Sequence, residues 1–303
     1  MQPKPPSGQQ VEIWHGDERV VAVTVGGGVR LYEAGGSPVL DGYAAEAMCD
    51  GARGQLLVPW PNRLRDGVYE FRGSQLQLAL TEPERSNAIH GLARWTPWSV
   101  LWQRPGEAAL GLDLPPQPGY PFQLRLEVVY RLASDGLSVV QSATNIGSDP
   151  CPYGSGAHPY LRAGTDLVDA LDLTVPARTR LVGDERQIPV AAEPVEGTDL
   201  DFRRPKRIGG QQLDTAFTDL ERGEDGIARV TVSGRRTLEF WVDSAHPYLM
   251  VFTGDTLAPE RRRRGLGIEP MTCAPNAFRS GAGLQVLDPG ETFAAEWGIT
   301  VIR

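Results

Sequence analysis

The feature that most limits the fold of this chain is the way short apolar runs and turn residues take turns along it. Runs at 11–14, 20–25, 29–32, 68–71, 75–80, 99–103, 108–112, 122–132 and 137–144 are followed by others at 167–175, 179–182, 229–232, 237–242, 248–253 and 293–302. Most are rich in Val, Leu, Ile, Thr, Tyr and Phe, which suit a pleated, half-buried surface. The 35 glycines and 25 prolines are spread between the runs, so they read as turns and not as a disordered block. Asp66-Gly67 and Asp135-Gly136 carry the signature of two-residue hairpin turns, with 68–71 as a returning strand after the first. Helical periodicity is almost absent; the best short candidates are 213–220 and 276–280. An all-β fold follows, an antiparallel sandwich or barrel. No linker, low-complexity block or fixed-period repeat divides the chain, so residues 11–303 read as a single domain behind a loose, flexible tail at 1–10.

Charge and cysteine usage narrow the function classes. Acidic residues outnumber basic ones, 38 to 30, for a net charge of -8. Such a field repels nucleic acid and anionic membrane unless a basic patch intervenes. The longest unbroken basic run is Arg261-Arg262-Arg263-Arg264, which reads first as a solvated loop tip. Cys49, Cys151 and Cys273 have no CxxC spacing, which argues for a reducing compartment and against a structural zinc. The start of the chain lacks the apolar core of a signal peptide, and no run of ~18 apolar residues occurs, so a cytoplasmic protein is expected. No helical pattern follows Gly26-Gly27-Gly28, so it is not read as a phosphate loop.

Three stretches set a lone ionisable residue among glycine, proline and aromatic neighbours. In Gly265-Leu266-Gly267-Ile268-Glu269-Pro270, inward Leu266 and Ile268 place Glu269 on the opposite strand face. That face must be wet or functional, because a dry one leaves the carboxylate unpaired. The others are Asn87-Ala88-Ile89-His90-Gly91 and Gly154-Ser155-Gly156-Ala157-His158-Pro159-Tyr160. Of the four histidines, His15 reads as exposed in a turn and His246 as structural, while the glycine-rich approach to His158 lets backbone come close to a ligand. Arg63 follows Pro59-Trp60-Pro61-Asn62, a rigid loop that can place a side chain.

These pieces resemble the aldose 1-epimerase (galactose mutarotase-like) family in order and spacing from about Val20 to Val301. They are Asn62-Arg63, Phe71-Arg72-Gly73, His90-Gly91, His158-Pro159-Tyr160, Asp214-Thr215-Ala216-Phe217, Phe252-Thr253-Gly254, Gly267-Ile268-Glu269-Pro270 with Pro275-Asn276-Ala277-Phe278, and Leu287-Asp288-Pro289-Gly290-Glu291. The resemblance implies a large, antiparallel twisted β-sandwich, the galactose mutarotase-like supersandwich, with a sugar cleft on one sheet. It also implies Glu269 as general base, His158 as general acid, and Arg63, His90 and Asp214 as sugar-binding residues. No metal or organic cofactor is implied. The partner is a small-molecule sugar, with no nucleic acid or membrane, and the chain is expected to be a monomer or homodimer.

The chemistry fits the residue types. Anomers interconvert when a base takes the proton of the anomeric hydroxyl and an acid protonates the ring oxygen. A carboxylate ionised at neutral pH suits the first task and a histidine the second, the two straddling one sugar ring. Trp60 or Trp95 can lie against the apolar face of the sugar. The segment Ile89-His90-Gly91-Leu92-Ala93-Arg94-Trp95, with Trp98, is similar to the branch holding hexose-6-phosphate epimerases, in which arginines bind a phosphate. Arg94, Arg65 or the Arg261 to Arg264 run are the candidates for that task. Two further readings stay open: a non-catalytic sugar-binding module, and a metal site from His90, His158, Asp214 and Glu269.

Overall fold

The structure, a computed structural model that describes residues 4–302, is built almost wholly from antiparallel strands. A nine-stranded sheet runs in spatial order Ser99–Arg104, Glu107–Leu114, Leu124–Ala133, Gly136–Asn145, Thr292–Ile302, Thr237–Val242, Ala228–Ser233, Asp172–Thr174 and Lys206–Arg207. An eight-stranded sheet runs Pro189–Pro194, Ala177–Gly183, Asp214–Leu220, Tyr248–Phe252, Leu266–Met271, Gly156–Ala157 and Leu56–Leu57, with Tyr160–Leu161 also paired to Leu266–Met271. A four-stranded sheet at the start of the chain adds Gln10–His15, Glu18–Val23, Val29–Ala34 and Ser37–Pro38.

Period-two patterning explains how the large sheets face each other. In Leu124–Ala133 the residues Leu124, Leu126, Val128, Tyr130 and Leu132 are buried while Arg125 and Arg131 face water. They share one apolar core with Leu249, Val251, Leu266 and Ile268 of the eight-stranded sheet. Truncating one of these to alanine costs about 2–5 kcal/mol, the usual range for a cavity in a packed core. Asp135 turns the chain so that Ala133 pairs Gly136, the hairpin that the sequence predicts.

Three local expectations differ from the structure. Residues 1–3 of the expected tail lie outside the described residues, but Ser7 is buried and its carbonyl accepts from Val25 N at 2.9 Å, so the segment is anchored before the first strand begins. Asp66 and Gly67 do have positive φ, 59° and 63°, yet the strands on either side pair elsewhere. Arg63–Arg65 pairs Asn87–Ile89, and Val68–Phe71 turns back at Arg72-Gly73 onto Ser74–Gln77. The helical candidate at 213–220 is a strand, Asp214–Leu220, because it is laddered on both sides by Ala177–Gly183 and Tyr248–Phe252. Among the described residues only Ala277–Ser280, within the second candidate, forms a turn of α-helix.

The triple glycine has a packing role. A Cβ on Gly27 would stand 2.8 Å from the Trp98 ring, and one on Gly28 would stand 2.2 Å from Gly54 O. No helix among the described residues is long and apolar enough to cross a membrane.

Candidate active site

The floor of the site is the strand Leu266–Met271, buried along its whole length. Leu266 and Ile268 enter the core, so alternation turns Gly267 and Glu269 to the other face. There Glu269, 2% exposed, lines a cavity of about 270 Å3. Arg63, His90, His158 and Asp214 line the same cavity, so the five residues singled out from the sequence lie together although 206 positions separate the first from the last. Gly267 keeps the floor low: a Cβ there would stand 3.2 Å from Phe252 Cβ.

His158 is strung between two ladders. Its N donates to Gln55 O at 3.0 Å, its carbonyl accepts from Gly54 N at 2.9 Å, and Ile268 N donates to Pro159 O at 3.1 Å. The imidazole stacks on Tyr160, with ring centres 4.7 Å apart and planes 17° apart. Behind Tyr160 lies the Arg53 guanidinium, 4.5 Å from the ring centre and paired with Asp41 at 2.6 Å. His158 Nδ1 has no hydrogen-bond partner among the described residues, so the stack, and not a carboxylate behind the ring, sets its orientation.

His158 Nε2 stands 3.2 Å from Glu269 Oε1. The sequence suggested two groups straddling a ring; the structure has them side by side. This suits the reaction geometry, since the anomeric hydroxyl and the ring oxygen are bonded to the same carbon. Burial, and then the nearby Asp214, push the Glu269 carboxyl up to about 8. Burial, with the charges of Arg53, Arg94 and Arg63, pushes His158 down to about 3. Both shifts run against the charged forms, so burial favours a neutral carboxyl beside a neutral imidazole over the ionised carboxylate that the sequence suggested. Passing the carboxyl proton across the 3.2 Å gap gives the charge-separated form without changing the net charge.

His90 is held by the loop before Arg63. Its N donates to Asn62 O at 2.9 Å, and its Nδ1 accepts from Asn62 N at 3.2 Å. The neutral ring then carries its hydrogen on Nε2, which makes that nitrogen a donor. This tautomer bears against the metal reading. Ligand atoms of His90, His158 and Glu269 lie within 4.8 Å of one another, but neither nitrogen of His90 has a free lone pair to give an ion. Gly91, at φ 70°, lets the chain pass Val58, whose carbonyl oxygen would stand 2.0 Å from a Cβ.

Asp214 is half-buried at the start of its strand, and burial raises its carboxyl despite the Arg63 charge. Trp95 is 52% exposed and lines the cavity, whereas Trp60 is buried against Phe278, ring centres 5.5 Å apart, and does not reach it. Of the arginines considered for an anion, Arg94 lines the cavity. Arg65 is paired with Asp184, Arg263 with Asp169 and Asp255, and none of residues 261–264 lines the cavity. His246 is fully buried with Nδ1 2.8 Å from Asp243 Oδ1, the structural role read from its sequence context. Arg53, packed on the Tyr160 ring, and Glu82, paired with Arg63 at 2.9 Å, were missed; each sits in a polar turn sequence with no signal of its own.

A model of the family described as aldose 1-epimerase matches residues 9–300. The chain belongs to the aldose 1-epimerase family. It is 35% identical over 287 residues to the uncharacterized protein YihR of Escherichia coli (strain K12), covering 94% of this chain and 91% of that one. It is 30% identical to galactose mutarotase of Homo sapiens over 159 residues, 49% of this chain and 44% of the relative. The GalM/aldose epimerase homologue from C. elegans superposes with a TM-score of 0.86 at 17% identity, over 97% of this chain and 99% of that one, a likeness of fold. For this aldose 1-epimerase family member, then, the β-sandwich and the sugar-epimerase class agree with what the sequence motifs imply.

Proposed function

We propose that the chain interconverts the α and β anomers of a hexose by acid–base ring opening, with Glu269 and His158 as the proton-transfer pair. The observation that carries this reading is that pair, 3.2 Å apart, buried, and facing a cavity of about 270 Å3. In the charge-separated form Glu269 takes the anomeric proton while His158 gives its proton to the ring oxygen. The C1–O5 bond breaks, C1 becomes a carbonyl, and the pair again holds one proton, now on the carboxyl. Rotation about C1–C2 followed by the reverse transfers closes the ring on the other face. Each placed acid or base supplies ~10²–10⁴-fold in rate. His90 Nε2–H and Arg63 donate to sugar hydroxyls, and Asp214, which has no side-chain partner among the described residues, accepts from one. Trp95 offers its exposed ring at the mouth.

A second reading, a sugar carrying an anionic group such as a 6-phosphate, is favoured by Arg94. Its Nε is buried without a partner and its Nη2 reaches only Ile89 O, at 3.4 Å. No carboxylate pairs with it among the described residues, unlike Arg63 or Arg53. A panel of free and 6-phosphorylated hexoses, including galactose and glucose, scored by polarimetry or anomer-exchange NMR with Glu269→Gln as control, tests both. Catalysed exchange of free sugars that survives Arg94→Met supports the first reading, and preference for the phosphorylated sugars that is lost in Arg94→Met supports the second. No exchange with any sugar, or exchange unaffected by Glu269→Gln, overturns the proposal.

A further inference from the structure

We infer that Glu82 is a positioning residue of the sugar site: it clamps one edge of the Arg63 guanidinium and so decides which N–H groups Arg63 presents to the cavity. The ligand's identity as a sugar rests on the reading above; the clamp does not. Arg63 Nε donates to Glu82 Oε2 at 2.9 Å and Nη2 donates to Oε1 at 3.0 Å, the two parallel bonds of a bidentate pair. Nη1 makes no hydrogen bond to any described residue, and Arg63 lines the cavity. A guanidinium is planar and rigid, so fixing one edge fixes the direction of the other.

The carboxylate is itself held. Asn87 Nδ2 donates to Glu82 Oε2 at 2.9 Å and Arg85 Nη1 to Oε1 at 3.2 Å. The backbones of Glu82 and Asn87 exchange bonds of 3.0 and 3.1 Å. Asn87 is fully buried and opens the strand Asn87–Ile89, in which Ile89 pairs Arg63 and leads into His90. One small ladder therefore sets Arg63, its clamp and His90 together. Burial alone would raise the Glu82 carboxyl, but the bonds from Arg63 and Asn87 outweigh it and keep the group below its usual range. Glu82 does not line the cavity, so its effect on a sugar passes through Arg63.

The test is a double-mutant cycle with a readout that needs no substrate. With the best sugar of the panel, Glu82→Gln should raise KM about tenfold with kcat nearly kept, the mark of a contact made alike in ground and transition states. In the Arg63→Ala background the same change should add nothing. An equal rise in KM in both backgrounds overturns the inference. Independently, the Arg63 Nε–H signal in NMR of ¹⁵N-labelled protein, assigned by its absence in Arg63→Ala, should be rigid and slow to exchange in wild type. It should broaden or exchange fast in Glu82→Gln, with thermal melts reporting that each variant folds. A signal unchanged in a folded Glu82→Gln protein overturns the clamp even if no sugar is turned over. Failure of the wild type to turn over any sugar, with the signal behaving as expected, removes only the mutarotase reading.

Discussion

Replacing Glu269 with glutamine should cut turnover sharply and, at neutral pH, make the protein more stable. The carboxyl ionises near 4.5 in an unfolded chain and is pushed up to about 8 in the fold. Between those values the folded state binds a proton that the unfolded state has released. The sign follows from linkage: the group's penalty is absent below 4.5 and grows as pH rises toward 8. At 1.36 kcal/mol for each of the roughly 2.5 pH units from 4.5 to 7, it is about 3 kcal/mol at pH 7. A carboxamide has nearly the same shape and no proton to lose. Glu269→Gln should therefore raise Tm by about 5 °C at pH 7 in a chain of this length. The gain should almost vanish at pH 4.5, while mutarotation falls by ~10²–10⁴-fold. Calorimetric melts at the two pH values and polarimetry on the same samples make the measurement. An unchanged or lower Tm at pH 7, or a gain that persists at pH 4.5, would refute the electrostatic reasoning.

Further outcomes follow from the same geometry. Because the pair keeps one proton from about 3 to about 8, kcat/KM should stay level across neutral pH and fall about tenfold per pH unit only above 8. A decline beginning near 6.5 in a pH–rate profile would instead mean an independent histidine acid. Gly91→Ala should destabilise by about 3 kcal/mol or more in urea unfolding, because its Cβ meets Val58 O in a left-handed backbone; it should also raise KM by displacing His90. Dialysis against a strong chelator should leave mutarotation unchanged by polarimetry, since Nδ1 of His90 accepts from Asn62 N and the ring hydrogen is left on Nε2. Activity lost on chelation and restored by zinc would show that this tautomer is wrong.

The strands were legible because their patterning is local. Leu124 to Leu132 alternates, and Asp135-Gly136 announces its own turn. Glu269 was legible for the same reason, since Leu266 and Ile268 leave it one face. What the sequence could not carry was pairing at a distance. The turn at Asp66-Gly67 looks like a hairpin, yet the partner of Arg63–Arg65 begins at Asn87. Nor do adjacent residues tell that Trp60 spends its ring on Phe278, or that Arg53 stands behind Tyr160. The upward shift of the Glu269 carboxyl was not legible because it comes from burial on every side, which no short window contains.

The two side chains proposed to transfer protons hang from laddered backbone, Glu269 inside a strand and His158 between two short ones. Arg94, Trp95, Thr256 and Leu257, by contrast, reach the cavity from connecting segments. Connectors tolerate insertion and drift far better than paired strands do. A lineage built on this sandwich can thus be repurposed toward a differently decorated ligand by editing its rim, while the Glu269–His158 pair beneath is inherited intact.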